Sequence, residues 1–173
     1  NIMISNVSYH AYKFRLTNNL LFIPLDYAFL KQFLQSDNYH IKTYIEASQE
    51  IENFGYSEYA SSKHAFTVIE GHDYATTYID DNLPLELKAK VLLHEYGHIY
   101  LKHTYSGVLG KSDDELETNR QEKEATDFAL FVLAPPRMLK DLGITDIGHI
   151  SSATLLSNDD AVQIQKEIHN LDS

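Results

Sequence analysis

The sequence contains no cysteine, and this absence excludes several kinds of protein. A disulfide framework, a zinc finger built on cysteine ligands and a thiol nucleophile all require a residue that this chain lacks. Without disulfides, a cytoplasmic location is the natural expectation.

Glycine and proline are also scarce, with 7 and 4 residues among 173, and the hydrophobic content is 43%. These values are typical of an ordinary globular protein rather than of a disordered or fibrous one. Long apolar runs are missing as well, because the stretch 129–136 is far shorter than the roughly 20 residues that span a bilayer. No signal peptide is visible at residues 1–3, so we expect no membrane association.

Positive charge is in short supply, because 14 basic residues face 25 acidic ones and the net charge is −11. A nucleic-acid-binding surface needs a basic stripe that displaces counterions, so no direct binding of nucleic acid is expected. The acidic balance suits solubility and would also attract a basic partner. The length fits one domain with its own core, covering residues 1–173.

Hydrophobic spacing predicts a small sheet and several helices. Two runs rich in β-branched and aromatic residues, 65–69 and 74–79, flank a turn and predict a β-hairpin. A strand at 41–45 and a polar loop at 107–114 are also expected. The predicted helices are 24–34, 47–54, 85–103, 115–133, 138–142 and a last helix N-capped by Ser157. The expected fold class is α+β, a small N-terminal sheet with a hairpin packed on a mostly helical bundle.

The segment HEYGH, residues 94–98, lies within the predicted helix 85–103. Residues four apart share a helix face, so His94 and His98 can direct their imidazoles at one metal ion. Neutral imidazole is the commonest metal ligand in proteins, and zinc accepts it at tetrahedral angles. Glu95 can take a proton from the metal-bound water instead of binding the metal. This is the HExxH pattern of zinc peptidases, and it predicts a zinc site.

A catalytic zinc needs a third protein ligand and one open position. An extended motif with glycine and histidine three and six residues after His98 is excluded, because Leu101 and Thr104 stand there. Periodicity favours Glu122, which falls at the edge of the apolar arc of the next helix, over Glu124 and Asp127, which point away and are expected to be solvated. The candidates weighed are Glu117, Glu122, Glu124 and Asp127.

The helix that follows, EKEATDFALFVLAP over 122–135, together with the glycine before the second motif histidine, resembles the ImmA/IrrE metallopeptidases. Their second signature runs roughly Glu-x-Glu-Ala-Asn/Asp-x-Phe-Ala-x-x-Leu-Leu-Met-Pro. The strong match covers 85–135. Thr126 departs from it, as do Val132 and Ala134. The residues that match in register are Glu122, Glu124, Ala125, Phe128, Ala129, Leu133 and Pro135.

The resemblance implies a minimal zincin-like fold and a gluzincin-like zinc endopeptidase, with Glu122 as the third ligand. We expect an active-site core at 65–135 and a C-terminal helical part at 136–173. Family members are bacterial and phage enzymes that cleave helix-turn-helix repressors, so the implied partner is a DNA-binding repressor as protein substrate. The wider class binds peptides by β-augmentation, which implies a substrate strand along the edge of the hairpin, where alternation over 74–79 leaves an open edge.

The expected reaction is metal-assisted hydrolysis of a peptide bond. Zinc lowers the pKa of its water to ~7 and polarises the scissile carbonyl. Glu95 then takes the proton as general base and hands it to the leaving amine. The oxyanion also needs a donor, and the sequence does not choose among His72, Tyr96, Tyr100, Tyr105 and His149.

Two rival functions stay open. One is a binding module of the same fold that sequesters a repressor or toxin without cutting it. The other is a protein in which zinc only fastens two helices together. Glu95 disfavours the second, because a purely structural site has no use for a base, but it does not separate cleavage from binding.

Overall fold

The computed structural model describes residues 2–71, 73–103 and 115–172, and side chains in the first and sixth helices from Val7 and Glu117 onward. The predicted loop at 107–114 lies outside these residues. The elements confirm the α+β class. In chain order they are α1 (Ile2–Thr17), α2 (Tyr27–Leu34), β1 (Tyr39–Thr43), α3 (Ser48–Asn53), α4 (Ser57–Ser62), β2 (Ala65–Glu70), β3 (Tyr74–Ile79), α5 (Leu85–Tyr100), α6 (Glu115–Leu133), α7 (Pro136–Asp141), α8 (Ile147–Thr154) and α9 (Asn158–Asn170). Among these described helices, none has both the length and the apolar character needed to cross a membrane.

The chain divides into two compact units, and the boundary falls within α6. The sheet unit, Asp26–Ala125, contains β1–β3, α2–α5 and the first part of α6. The helical unit, Asn1–Leu25 with Thr126–Ser173, contains α1, the rest of α6 and α7–α9.

The strands of the sheet unit pair in the order β1-β3-β2. β2 and β3 form the predicted antiparallel hairpin, in which Thr67 lies opposite Thr77. β1 runs parallel to β3 along its other side, with Tyr39 opposite Ala75. β3 is therefore the central strand, and the expectation that its edge stays open is wrong because β1 occupies it. Among the described residues, the edges of this sheet are β1 and β2.

Both faces of the hairpin are covered. Since successive side chains of a strand point to opposite faces, Phe66, Val68 and Tyr78 lie on one face. There they form a core cluster with Ile51 of α3 and with partly buried residues of α4, and the rings of Phe66 and Tyr78 stack with centroids 5.0 Å apart. α5 packs against β2 and β3, and Thr67 hydrogen-bonds a side chain of that helix.

In the helical unit, apolar faces pack together and α9 begins with a side-chain N-cap. In α1 the buried residues Val7, Ala11 and Phe14 recur at helical spacing, and Phe14 meets Phe128 of α6 edge-on with ring centroids 6.0 Å apart. The predicted N-cap of the last helix is confirmed, because the Ser157 hydroxyl accepts a hydrogen bond from the backbone nitrogen of Asp160 at 3.2 Å.

A buried arginine caps the C-terminal end of α6 within the same unit. Arg15 is fully buried and donates to the backbone carbonyls of Phe22 at 2.6 Å and Val132 at 3.2 Å. Val132 would ordinarily receive a bond from the residue four positions on, but that residue is Pro136, which has no N–H. The Arg15 guanidinium therefore supplies the donor that the end of the helix lacks.

Candidate metal centre

α5 presents His94 and His98 on one face, as the motif predicts. The two Nε2 atoms are 3.2 Å apart, and the ring centroids are separated by 4.9 Å. The apolar neighbours Ala89, Leu92 and Leu93 are buried and fix the helix in place. His98 is the deeper of the two rings, because its side chain is only 2% exposed against 24% for His94.

α6 brings one carboxylate to the histidines, that of Glu122. Its Oε2 lies 2.9 Å from His94 Nε2, and its Oε1 lies 3.2 Å from His98 Nε2. One ligand atom from each of the three residues falls within 4.8 Å of the others. Burial acts to raise the pKa of Glu122, but hydrogen bonds from His94 and His98 outweigh it and hold that pKa well below its usual range.

The spacing of these atoms fits tetrahedral zinc. Ligand atoms that lie ~2.0–2.1 Å from a tetrahedral zinc are about 3.3 Å from one another. The distances found here are near that value, with 3.2 Å between the two imidazoles, 2.9 Å from His94 to one Glu122 oxygen and 3.2 Å from His98 to the other. Two histidines and a glutamate are also a donor set used by catalytic zinc sites. The Glu122 side chain is 44% exposed, so the site has a solvent-facing side where a fourth ligand could enter.

A second ring orients His98 from behind. α5 ends at Tyr100 rather than at the predicted residue 103, because Lys102 adopts a left-handed φ of +57°. The backbone N–H of His103 then bonds to the carbonyl of His98 at 2.9 Å, and that of Lys102 bonds to Ile99 at 3.1 Å. This is the Schellman pattern of helix ends, and it returns the chain toward the motif. As a result His103 Nδ1 lies 2.9 Å from His98 Nδ1.

The hydrogen bonds of this second ring define which nitrogens carry protons. The Glu124 carboxylate can only accept, so His103 Nε2, 3.0 Å from its Oε1, is the donor. Burial lowers the pKa of His103, and the bond to Glu124 opposes this only in part. In the neutral His103 ring Nδ1 accepts, so His98 Nδ1 donates to it. With Nδ1 as the donor, a neutral His98 ring would leave its Nε2 lone pair for a cation, whereas without a cation Nε2 donates to Glu122 only when it carries a proton as well.

Glu124 is held in turn by an arginine on its own helix. Arg120 donates through Nη1 to both oxygens of Glu124, at 2.9 and 3.0 Å, and through Nε to Glu117 at 2.9 Å. The expectation that Glu124 and Asp127 are solvated is wrong. The Glu124 side chain is 17% exposed because His103 and Arg120 lie against its carboxylate. Asp127 is 4% exposed because residues 127–133 of α6 are buried on every side, so the apolar arc no longer marks a single face.

Glu95 is not one of the three converging ligands. It is 9% exposed, and its Oε2 accepts a hydrogen bond from the hydroxyl of Thr67 on β2 at 2.7 Å. Among the described residues, Thr67 is the hydrogen-bond partner of this carboxylate. No sequence pattern near the motif points to Thr67, because its position opposite α5 depends on how the hairpin packs.

The candidate oxyanion donors are distributed as follows. Tyr96 lies on α5 and packs its ring against Tyr39 of β1, with centroids 5.6 Å apart, and against Tyr100 at 6.1 Å. His149 lies on α8 in the helical unit. His72 and Tyr105 lie outside the described residues.

A cleft of about 820 Å³ lies beside α5 within the sheet unit. Its walls come from the end of α2, the start of β1, the hairpin turn and the last turn of α5, and they include Tyr39, Tyr96 and His103.

Comparison with models of known protein families, with curated proteins and with solved structures gave no match. The argument for function therefore depends on the residues and geometry of this chain.

Proposed function

We propose that this protein is a zinc-dependent endopeptidase with a minimal zincin-like fold, related to the ImmA/IrrE metallopeptidases. The observation that carries the proposal is the convergence of His94, His98 and Glu122 at spacings suited to tetrahedral zinc, with the motif glutamate Glu95 next to the first ligand. The Glu122 side chain is 44% exposed, which would give substrate or water access to a fourth ligand position that a purely structural site would close.

Each residue has a distinct task in the proposed reaction. His94, His98 and Glu122 would hold zinc, and a zinc ion there would supply Lewis acidity toward the scissile carbonyl and the attacking water. Glu95 takes the proton of the attacking water and delivers it to the leaving amine. His103 and Glu124 orient His98 through the ring nitrogen that faces away from the site.

Two features support a protein substrate rather than a small molecule. Among the described residues β2 is an edge strand that packs against α5, and an extended peptide can add to such an edge through backbone hydrogen bonds. The net charge of −11 favours encounter with a basic partner. By resemblance, the proposed substrate is a helix-turn-helix repressor of a phage or mobile element, met in the cytosol; such DNA-binding proteins are basic.

Mapping of new protein N-termini tests the proposal. The protein and its Glu95→Gln variant are each expressed in the host cell with zinc supplied. The N-termini created by cleavage are then labelled and sequenced by mass spectrometry. We expect a small set of new N-termini, including one in a DNA-binding regulator, that requires Glu95. Glu86→Gln, an exposed acid at the start of the same helix, is the matched control and should cleave normally.

The same cells distinguish cleavage from sequestration when transcription from the promoters that the regulator represses is also measured. If the Glu95→Gln protein retains zinc and still raises that transcription, the protein acts by binding. If neither protein produces new N-termini while both hold zinc, the endopeptidase proposal is wrong.

A further inference from the structure

Three buried hydroxyl groups form a continuous line that ends on Glu95. Tyr39 Oη lies 2.6 Å from Thr77 Oγ1, which lies 2.7 Å from Thr67 Oγ1, which donates to Glu95 Oε2 at 2.7 Å. Thr67 and Thr77 are fully buried and Tyr39 is 6% exposed. We call these three residues the hydroxyl chain.

The sheet register explains how the hydroxyl chain forms. Thr67 and Thr77 are directly opposite each other on β2 and β3, so their side chains leave the sheet on the same face. Tyr39 on β1 lies opposite Ala75, two positions before Thr77, and its long side chain reaches diagonally across. Each of the three strands therefore contributes one hydroxyl to the same line.

The direction of every proton in the chain follows from its end. The Glu95 carboxylate has no hydrogen to give, so Thr67 must donate to it. A hydroxyl carries one hydrogen, so the bond between Thr67 and Thr77 must use the hydrogen of Thr77. By the same reasoning Tyr39 must donate to Thr77. Burial raises the pKa of Tyr39 well above its usual range, which keeps the phenol protonated as the first donor.

We infer that the hydroxyl chain of Tyr39, Thr77 and Thr67 holds the carboxylate of Glu95 in the single orientation from which it can act as a base. The inference rests on the proposed peptide hydrolysis. These three are positioning residues, since none of them is among the converging ligands and each acts through Glu95.

A glutamate side chain needs a hydrogen-bond partner to fix the plane of its carboxylate. The last torsion of glutamate is broad and roughly two-fold, so packing alone defines the plane of a carboxylate poorly. A donor bound to Oε2 fixes that plane and leaves Oε1 for the attacking water. Successive donors in one direction polarise each other, which strengthens the final bond. If packing were the only requirement at the buried positions of Thr67 and Thr77, valine would suit them better than threonine.

The test uses variants that remove one hydroxyl each while keeping the shape of the side chain. Thr67→Val, Thr77→Val and Tyr39→Phe interrupt the chain at successive positions, and Thr67→Ser restores the donor. Thr76→Val is the matched control for Thr77→Val. Thr76 is the preceding residue on β3, is also buried and points to the opposite face of the sheet. Tyr44→Phe is the control for Tyr39→Phe, because the Tyr44 hydroxyl bonds only to the Lys63 carbonyl among the described residues.

The first readout is independent of activity. Crystal structures of zinc-loaded wild-type, Thr67→Val and Thr67→Ser proteins report the orientation of the Glu95 carboxylate. We expect it to turn in Thr67→Val and to return in Thr67→Ser, with zinc held equally in all three. An unchanged carboxylate in Thr67→Val would overturn the inference, whatever the protein does to peptides.

The second readout is kinetic and uses a synthetic peptide that spans the strongest Glu95-dependent cleavage site. Misplacing a reacting group by about 1 Å can cost up to ~100-fold, so we expect kcat to fall by up to that factor in Thr67→Val, less in Thr77→Val and least in Tyr39→Phe, with KM unchanged. Normal kcat in Thr67→Val, or a loss that appears in KM, contradicts the inference while the endopeptidase proposal stands. Should wild-type protein cleave nothing, the proposed function fails, and the crystallographic readout alone decides whether the chain orients Glu95.

Discussion

The Nδ1 atoms of His98 and His103 lie 2.9 Å apart, so one candidate zinc ligand is held by a ring that is not itself a ligand. A bond between two ring nitrogens needs one donor and one acceptor, and Glu124 decides which is which by accepting from the far side of His103. The left-handed residue Lys102 makes this contact sterically accessible by turning the chain back at the end of α5. Local backbone geometry and the Glu124 carboxylate together set the proton position on this candidate ligand.

Removal of the second ring should weaken zinc binding. His103→Phe keeps an aromatic ring of similar size but deletes both nitrogens, and loss of such a supporting partner typically costs 10–100-fold in metal affinity, so we expect a drop of about that size. Competition with a chromophoric zinc chelator at constant pH measures it. His64→Phe, at an exposed position, should bind zinc as the wild type does. Unchanged affinity in His103→Phe would show that the Nδ1 contact is incidental.

Zinc should stabilise the fold only when the third ligand is present. A ligand present at about 100 times its dissociation constant raises the free energy of unfolding by ~2.7 kcal/mol. We expect a rise of that order for wild-type and Glu95→Gln proteins, and a much smaller one for Glu122→Gln. Thermal unfolding with buffered free zinc gives the comparison. Equal stabilisation of Glu122→Gln and wild type would remove Glu122 from the ligand set.

The acid stability of chelator-treated protein should depend on Glu122. Its pKa is held below the ordinary value of 4.5 by His94 and His98 against the opposing effect of burial. A carboxylate with a depressed folded pKa contributes stability that is present above its unfolded pKa and lost as the pH falls through the folded pKa. The free energy of unfolding should therefore decline below pH about 4.5, and Glu122→Gln should lack that part of the decline.

Chemical denaturation as a function of pH measures this difference. Glu52→Gln, an exposed acid on α3, is the control and should follow the wild-type curve. Because the Glu122 side chain is 44% exposed, solvent screening makes the effect small, and its direction is the prediction. A Glu122→Gln curve parallel to the wild-type curve would contradict it.

Replacing Arg15 with lysine should lower the stability of the protein. Arg15 reaches the Phe22 and Val132 carbonyls through two separate nitrogens, an arrangement that a single ammonium nitrogen does not reproduce, and a buried acceptor left without a partner costs about 1–3 kcal/mol. We expect Arg15→Lys to lower the free energy of unfolding by that amount in urea denaturation. Arg137→Lys, an exposed change on α7, should have no effect. If the two variants were equally stable, another group would have to satisfy the end of α6.

The convergence of His94, His98 and Glu122 could be predicted because all three lie on helices that the sequence pattern indicates. His94 and His98 are one helical turn apart, and the edge of the apolar arc selected Glu122, which the structure brings to them. Local features could be predicted as well, because each depends on interactions within a few residues. They are the hairpin, the helix over 115–133 and the Ser157 N-cap.

Features that depend on distant packing could not be predicted. The parallel pairing of β1 with β3, and with it the approach of Tyr39 to Thr77, joins residues 38 positions apart. Asp127 is buried because α6 is covered all round at that point, which periodicity cannot reveal. α1 escaped prediction because helix-indifferent residues such as Ser8 and His10 separate the buried positions.

Anomalous diffraction at the zinc edge, on crystals of protein loaded with one equivalent of zinc, tests the central claim most directly. The account predicts a single strong peak within ~2.0–2.2 Å of His94 Nε2, His98 Nε2 and a Glu122 oxygen, with a non-protein ligand in the fourth position. A site occupied elsewhere on the chain, or a zinc closed off by a fourth protein ligand, would contradict it.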